Sequence, residues 1–357
     1  MSSRLVRAEF MVANPLRISV AAPPLRQEFD GFVSCLKEAW AHAMRPAWIA
    51  VALSAMLLTL LCSITDFPFP PSGFLLRQAA VLAALAAGSV YLTRSDYLRA
   101  AVALEATMLS IAIVLIMPPL EAIFASAAFP FQDKILADAD ASLGIDWIAL
   151  AFWFRAHPEL SKILSHAYAS IEWQPLVLVL TLSWADPERL RRVITTSTLV
   201  LVATIIIFLF SPAIGPYAHF KFTAADFPSI IVPAAWIAPG ITEGLRNGIH
   251  QLHFAGLVTF PSYHAVVAVL LAYGWMAVPV LRWLFVPLNL LMLVSCVPIG
   301  SHYVTDVIVG IAMAWGVYPL ISRYYTWADR RSPILPWSET SIGRAVKDRV
   351  RQTVPLR

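Results

Sequence analysis

The sequence predicts an all-α fold, a polytopic membrane helix bundle of about eight spans, and three observations predict it. The first is composition. Of 357 residues, 59% are hydrophobic and 13% charged, and the mean hydropathy is +0.70. A soluble domain is nearer half apolar and a quarter charged, so both a water-soluble globule and a disordered chain are excluded. The second is a set of apolar windows long enough to read as membrane helices, at 48–64, 73–92, 100–117, 163–184, 193–210, 265–280, 283–297 and 304–321. The third is charge asymmetry. With both termini cytoplasmic, 20 of the 26 Lys and Arg residues fall on the inner side, and only Arg77, Lys134, Arg155, Lys162, Lys221 and Arg246 fall outside. The net charge of +4 is too small to point to nucleic acid.

Taken in order, residues 1–45 form a cytoplasmic segment that mixes Arg4, Arg7, Glu9, Arg17, Arg26, Glu28 and Asp30 without a clean apolar run. It does not read as a signal peptide, and the first span is expected to serve as the insertion signal. Residues 46–160 hold the first spans and a long outer connection, 118–162. Within that connection, 131–153 sets Ile135, Leu136, Leu143 and Trp147 against Asp133, Asp138, Asp140 and Asp146. The pattern predicts one or two amphipathic helices lying at the membrane interface. A second outer connection, 211–261, is rich in Pro and aromatic residues. Residues 161–322 form the membrane core and 323–357 a basic cytoplasmic tail. Cys35, Cys62 and Cys296 have neither disulfide nor zinc spacing and read as small buried hydrophobes.

Two segments carry chemistry, Phe260-Pro261-Ser262-Tyr263-His264 and Gly300-Ser301-His302-Tyr303-Val304-Thr305-Asp306. Each lies where an outer connection enters a span. The 38 positions from His264 to His302 allow one helix down, a turn near Arg282 and one helix back, at ~1.5 Å per residue. Both imidazoles therefore return to one face. Asp306, four residues after His302, is expected one helical turn away, where a carboxylate fixes the imidazole tautomer and leaves the other nitrogen as nucleophile or base. Helix N-termini at both histidines favour an anion such as phosphate. Ionisable groups at membrane depth are costly and usually functional, whereas His157, His166, His219, His250 and His253 taken singly read as polar anchors.

Pro261-Ser262-Tyr263-His264 resembles the Pro-Ser-x-His motif of the type 2 phosphatidic acid phosphatase superfamily, and His302-x-x-x-Asp306 resembles its last motif. The resemblance implies that His302 is the nucleophile forming a phosphohistidine, Asp306 its partner, and His264 the general acid for the departing alkoxide. Two departures matter. Ser295 and Cys296 stand where the family usually has Ser-Arg, so the phosphate-binding Arg is missing, and the Lys/Arg-Pro first motif is absent. Ser211-Pro212-Ala213-Ile214-Gly215-Pro216-Tyr217, together with Asp140, Leu143-Gly144 and Asp146-Trp147, resembles the bacterial inositol phosphorylceramide synthase-like (inositolphosphotransferase) branch.

The expected protein is thus a lipid phosphatase or phosphotransferase of the inner membrane, acting on a lipid phosphate or phospholipid at the periplasmic face and needing neither metal nor cofactor. Arg246, suited to a bidentate grip, and Lys221 are the expected phosphate-binding cations, with Ser262 and Tyr217 as further hydrogen-bond donors. Two other classes compete. Asp138-Ala139-Asp140 is the metal-binding pair expected of a polyprenyl-phosphate glycosyltransferase, and Glu105 and Glu172 within spans suit a transporter.

Overall fold

A computed structural model describes residues 44–331 except 66, 69–71, 96 and 250–255. Cys35, His250, His253, nearly all of the N-terminal segment and most of the basic tail lie outside the described residues. Among those described there are thirteen α-helices and no strand.

In chain order they are α1 (Arg45–Ile64), α2 (Ser72–Arg94), α3 (Leu98–Ser126), α4 (Asp133–Ser142), α5 (Trp147–Ala156), α6 (Pro158–Ala169) and α7 (Gln174–Ala185). There follow α8 (Pro187–Phe210), α9 (Pro216–His219), α10 (Ala234–Arg246), α11 (Tyr263–Trp275), α12 (Arg282–Ser295) and α13 (Val304–Arg331).

Each of the eight expected apolar windows contains helix, although 276–280 and 296–297 lie beyond the ends of theirs, and five helices, α1, α2, α3, α8 and α13, are long and apolar enough to cross a membrane. α7, α11 and α12 have 12, 13 and 14 residues, roughly 20 Å each at ~1.5 Å per residue against ~30 Å of hydrocarbon. The His264-to-His302 hairpin is therefore shorter than a full crossing in each direction.

Local chemistry sets several boundaries. Asp186 caps α8 by accepting from the Arg189 amide, with Pro187 in the first turn. Asp146 caps α5 in the same way through Ala149. The expected span 163–184 is broken at a 3-10 turn, Ser170–Glu172, ahead of Gln174 and Pro175. The break holds because Gln174, fully buried, is tied across helices: Oε1 accepts from Trp275 Nε1 at 3.1 Å and from Asn289 Nδ2 at 2.7 Å, and Nε2 donates to Ser170 Oγ at 2.9 Å.

The expected end at Met117 is also overrun, since α3 continues through Pro118 and Pro119 to Ser126. Met117, Leu120, Phe124 and Ala125 are buried there against Ile205, Phe208 and Leu257, and Glu121 accepts from the Leu257 amide at 3.1 Å. Packing on this scale outweighs the hydrogen bonds that two prolines remove. At the other end of the chain, α13 carries on as helix to Arg331, past the expected start of the tail.

α3 packs against α1, α2, α7, α8 and α10, while α11 packs against α7, α8, α12 and α13. One buried cluster, with Leu182, Val266, Trp275, Met292 and Ala314, fills the bundle interior. A second, with Trp147, Tyr168, Tyr217, Ala265, Cys296 and Tyr303, joins α4, α5 and α6 to the starts of α11 and α13. Large apolar side chains such as Leu53, Val114, Leu180, Leu290 and Trp315 stand exposed, as suits a protein whose solvent is hydrocarbon.

The connection at 131–153 does form two short helices, with Leu136 and Trp147 buried and Asp138 and Asp146 exposed as expected, but at the other positions the polarity is reversed. Asp133 and Asp140 are 3% and 1% exposed, while Ile135 is 64% exposed. Two carboxylates expected on a solvated face point into the protein.

Candidate active site

Each functional side chain is set by a short local device. Ser262, completely buried, caps α11 by accepting from the Ala265 amide, which starts the helix one residue before His264. The Ser262 amide in turn donates to the Asp306 carbonyl at 3.2 Å. Gly310, one turn further along α13, lies directly against the Ser262 carbonyl, where a Cβ would have no room. The starts of α11 and α13 are thereby locked together. The outcome is that the His264 and His302 rings lie 6.4 Å apart between centroids, inclined at 51°.

His302 is not on the helix. It precedes α13 in a non-helical stretch, and Asp306, in the first turn of α13, reaches back to accept from the Tyr303 amide at 2.9 Å. The carboxylate oxygen then lies 3.5 Å from His302 Nδ1. That is longer than a good hydrogen bond, and neither His302 Nδ1 nor Asp306 Oδ1 has a hydrogen-bond partner among the described residues. Catalytic hydrogen bonds of this kind commonly shorten when substrate is bound. Because Nδ1 faces Asp306, Nε2 is the nitrogen turned away from the carboxylate. The loop is held on its other side too, as the His302 amide donates to the Cys296 carbonyl at 3.2 Å and Trp147 Nε1 donates to the His302 carbonyl at 3.4 Å.

The helix N-terminus expected to hold phosphate is already occupied. Asp140 Oδ2 accepts from the Val304 amide at 2.8 Å, and Oδ1 accepts from the Thr305 amide at 2.9 Å and from Thr305 Oγ1 at 2.7 Å. Seven residues earlier on α4, Asp133 accepts from the Ile214 amide at 3.0 Å, the Gly215 amide at 2.9 Å and the Tyr303 hydroxyl at 3.2 Å. Burial raises the Asp133 pKa, against the opposing pull of these donors and of His219. Burial first, then the Asp133 charge, raises that of the Tyr303 hydroxyl.

The 211–217 segment is thus strapped beside His302. Gly215, at φ 87°, approaches Ser301 so closely that a Cβ would sit 2.6 Å from its carbonyl oxygen.

The other expected residues are placed differently. The Tyr217 hydroxyl is committed to the Pro298 carbonyl at 2.7 Å and its ring meets Trp147 edge-on at 4.9 Å, with burial raising its pKa. The Arg246 guanidinium lies over the Phe131 ring at 3.5 Å and donates to the Phe129 carbonyl at 2.6 Å. Its pKa is lowered by burial, against the nearby Asp133 charge. Lys221 is exposed, in the left-handed region at φ 61°. No contact among the described residues joins either cation to His264 or His302. Where the resemblance expects an Arg, Ser295 and Cys296 are fully buried.

The residues of the competing classes are engaged elsewhere. Asp138 pairs with Lys134 at 2.6 Å on the exposed side of α4, opposite in orientation to buried Asp140. Among the described residues there is no group of three His, Cys, Asp or Glu side chains arranged to hold a metal. Glu105 accepts from the Met44 amide at 2.7 Å and Trp48 Nε1 at 3.0 Å. Glu172 is exposed as the last residue of the 3-10 turn. His157 and His166 are each bonded through Nδ1 to a carbonyl one turn earlier.

Sequence reasoning missed Tyr168. Its ring stacks on His264 at 4.1 Å and 14°, and its hydroxyl is 3.1 Å from His264 Nδ1. Gly300 is wedged beside it: a Cβ there would lie 2.7 Å from Tyr168 Cε2, 2.9 Å from His302 Cδ2 and 2.6 Å from the Cys296 carbonyl oxygen. Gly300→Ala is accordingly expected to cut turnover by about 10²-fold, because a displacement of about 1 Å near reacting groups costs that much. A loss below about threefold, measured on folded protein, would contradict this geometry.

A family model described as the PAP2 superfamily matches residues 134–320, more than half of the chain. No curated protein and no solved structure matches.

Proposed function

We propose that this chain, which belongs to the PAP2 superfamily, acts on a lipid phosphate ester by a two-step exchange through a phosphohistidine. The observation that carries this reading is the convergence of two imidazoles, 6.4 Å apart, one of them backed by a buried carboxylate. His302 Nε2 attacks phosphorus as the bond to the lipid oxygen breaks, and His264 gives that oxygen a proton. In the second step water or an acceptor alcohol attacks, the P–N bond breaks, and His264 recovers its proton from the incoming hydroxyl.

With Asp140 accepting from the Val304 and Thr305 amides and Asp306 from that of Tyr303, cations are left to meet the phosphoryl charge. Arg246 and Lys221 are assigned to this role, Arg246 by exchanging its Phe129 carbonyl for a phosphoryl oxygen. The cation distribution along the chain supports putting this end of the bundle on the outer side, which in a bacterium is the periplasmic face of the inner membrane. The segment 211–217 and the region from Asp140 to Trp147, both built against the His302 loop, support the inositolphosphotransferase-like branch and hence transfer to an alcohol rather than to water.

Protein reconstituted with phosphate-labelled phospholipids and isoprenyl phosphates, with and without inositol, separates these outcomes. A new labelled phospholipid or inositol phosphate ester is expected. Inorganic phosphate as the sole labelled product would leave a phosphatase and remove the transferase reading, and no product from any ester would remove both.

A further inference from the structure

We propose that Tyr168 is a positioning residue for His264, an inference that rests on the reading of His264 as the acid and base of the exchange. Tyr168 is 5% exposed and lies 96 residues before His264, on α6. Two independent contacts join them. The rings are stacked nearly parallel, with centroids 4.1 Å apart and planes inclined by 14°, which fixes the plane of the imidazole. The hydroxyl, 3.1 Å from Nδ1, fixes its rotation about Cβ.

In the acid form proposed for His264 both ring nitrogens carry protons, so the phenolic oxygen accepts from Nδ1–H and the proton that comes and goes in the exchange is the one on Nε2. In the first step Nε2–H passes to the alkoxide while the P–O bond breaks. In the second, Nε2 takes the proton of the attacking hydroxyl, and Nδ1–H stays on Tyr168 throughout. The same ring closes over Gly300, whose missing Cβ leaves room for Tyr168 on one side and His302 on the other. One tyrosine thereby sets both the orientation of His264 and its distance from the nucleophile. A neutral phenol holds the imidazole in its charged form less strongly than a carboxylate such as the one behind His302, which suits a group that must release its proton.

Tyr168→Phe keeps the stacking and removes only the oxygen. Its effect is read on two monoesters, an alkyl phosphate, whose leaving oxygen needs a proton, and p-nitrophenyl phosphate, whose leaving group does not. First-step rates are taken from the pre-steady-state burst. The variant is expected to slow the alkyl ester roughly 10- to 100-fold and the nitrophenyl burst by less than about threefold, with His264→Ala showing the same contrast more strongly.

Equal loss on both esters, or none on either, would overturn the role of Tyr168. A flat response in His264→Ala would instead overturn the acid assignment itself. Should the Phe variant fail to fold, 3-fluorotyrosine at 168 keeps ring and hydroxyl while weakening the acceptor. The basic limb of the kcat–pH profile for the alkyl ester should then move to lower pH, and an unmoved limb would count against the proposal.

Discussion

His302→Ala is expected to lower turnover by roughly 10⁴- to 10⁶-fold, the loss typical of removing a nucleophile from a covalent mechanism, and to abolish the acid-labile phosphoenzyme. The reasoning is geometric. Nδ1 is turned to Asp306 at 3.5 Å, so Nε2, on the other side of the ring, is the nitrogen presented to substrate. The ring is 3% exposed and contributes little to the fold beyond its own packing, since the backbone around it is held by Cys296, Trp147 and Asp140. The variant should therefore remain folded and bind the lipid ester. Rapid quench into alkaline denaturant, which preserves the P–N bond, with a phosphate-labelled substrate and gel separation at alkaline pH, is the direct measurement. Label retained on the protein, or turnover within tenfold of the unmodified protein, would rule out His302 as nucleophile.

Asp140→Ala should produce the largest loss of stability. It strips three donors at once, the Val304 and Thr305 amides and the Thr305 hydroxyl. A buried donor left unpaired costs about 1–3 kcal/mol, so a total of about 3–5 kcal/mol is expected after water reaches some of them. Asp140→Asn keeps one acceptor and should lose about half as much. Both are read as the shift in thermal unfolding of the solubilised protein.

Activity should fall further than stability in the Asn variant. Freeing the start of α13 lets His302 and Asp306 drift relative to His264, and misplacement of about 1 Å costs about 10²-fold. If Asp140→Ala unfolds at the temperature of the unmodified protein, Asp140 is not the clamp described here.

The two carboxylates on α4 show where sequence reading stops. Asp133, Leu136 and Asp140 recur at helical spacing and all three are buried, whereas the sequence pattern set Leu136 against the two carboxylates. Polarity argued for water, but each carboxylate faces backbone amides some 80 to 165 residues away in the chain, and those donors become available only after α13 and the 211–217 loop have been brought alongside. Tyr168 had no local signature at all, because its partner is distant in sequence and an aromatic on an apolar helix reads as core. Similarly, the break at Ser170–Glu172 depends on Trp275 and Asn289 finding Gln174.

By itself the sequence determined that the chain is helical, that it has the apolar helices of a membrane protein and which superfamily it resembles, and it singled out the two histidines and one aspartate of the proposed site. These follow from composition, from apolar period and from short motifs, all local quantities that a linear reading measures. Tertiary structure decided which polar groups are spent on holding the site and which stay free to react. Asp140 occupies the helix end that looked ready for phosphate, Tyr217 gives its hydroxyl to Pro298, and Tyr168 takes charge of His264. The physical reason is that a buried donor or acceptor must be paired, and in a helix bundle its partner comes from whichever segment packing brings near.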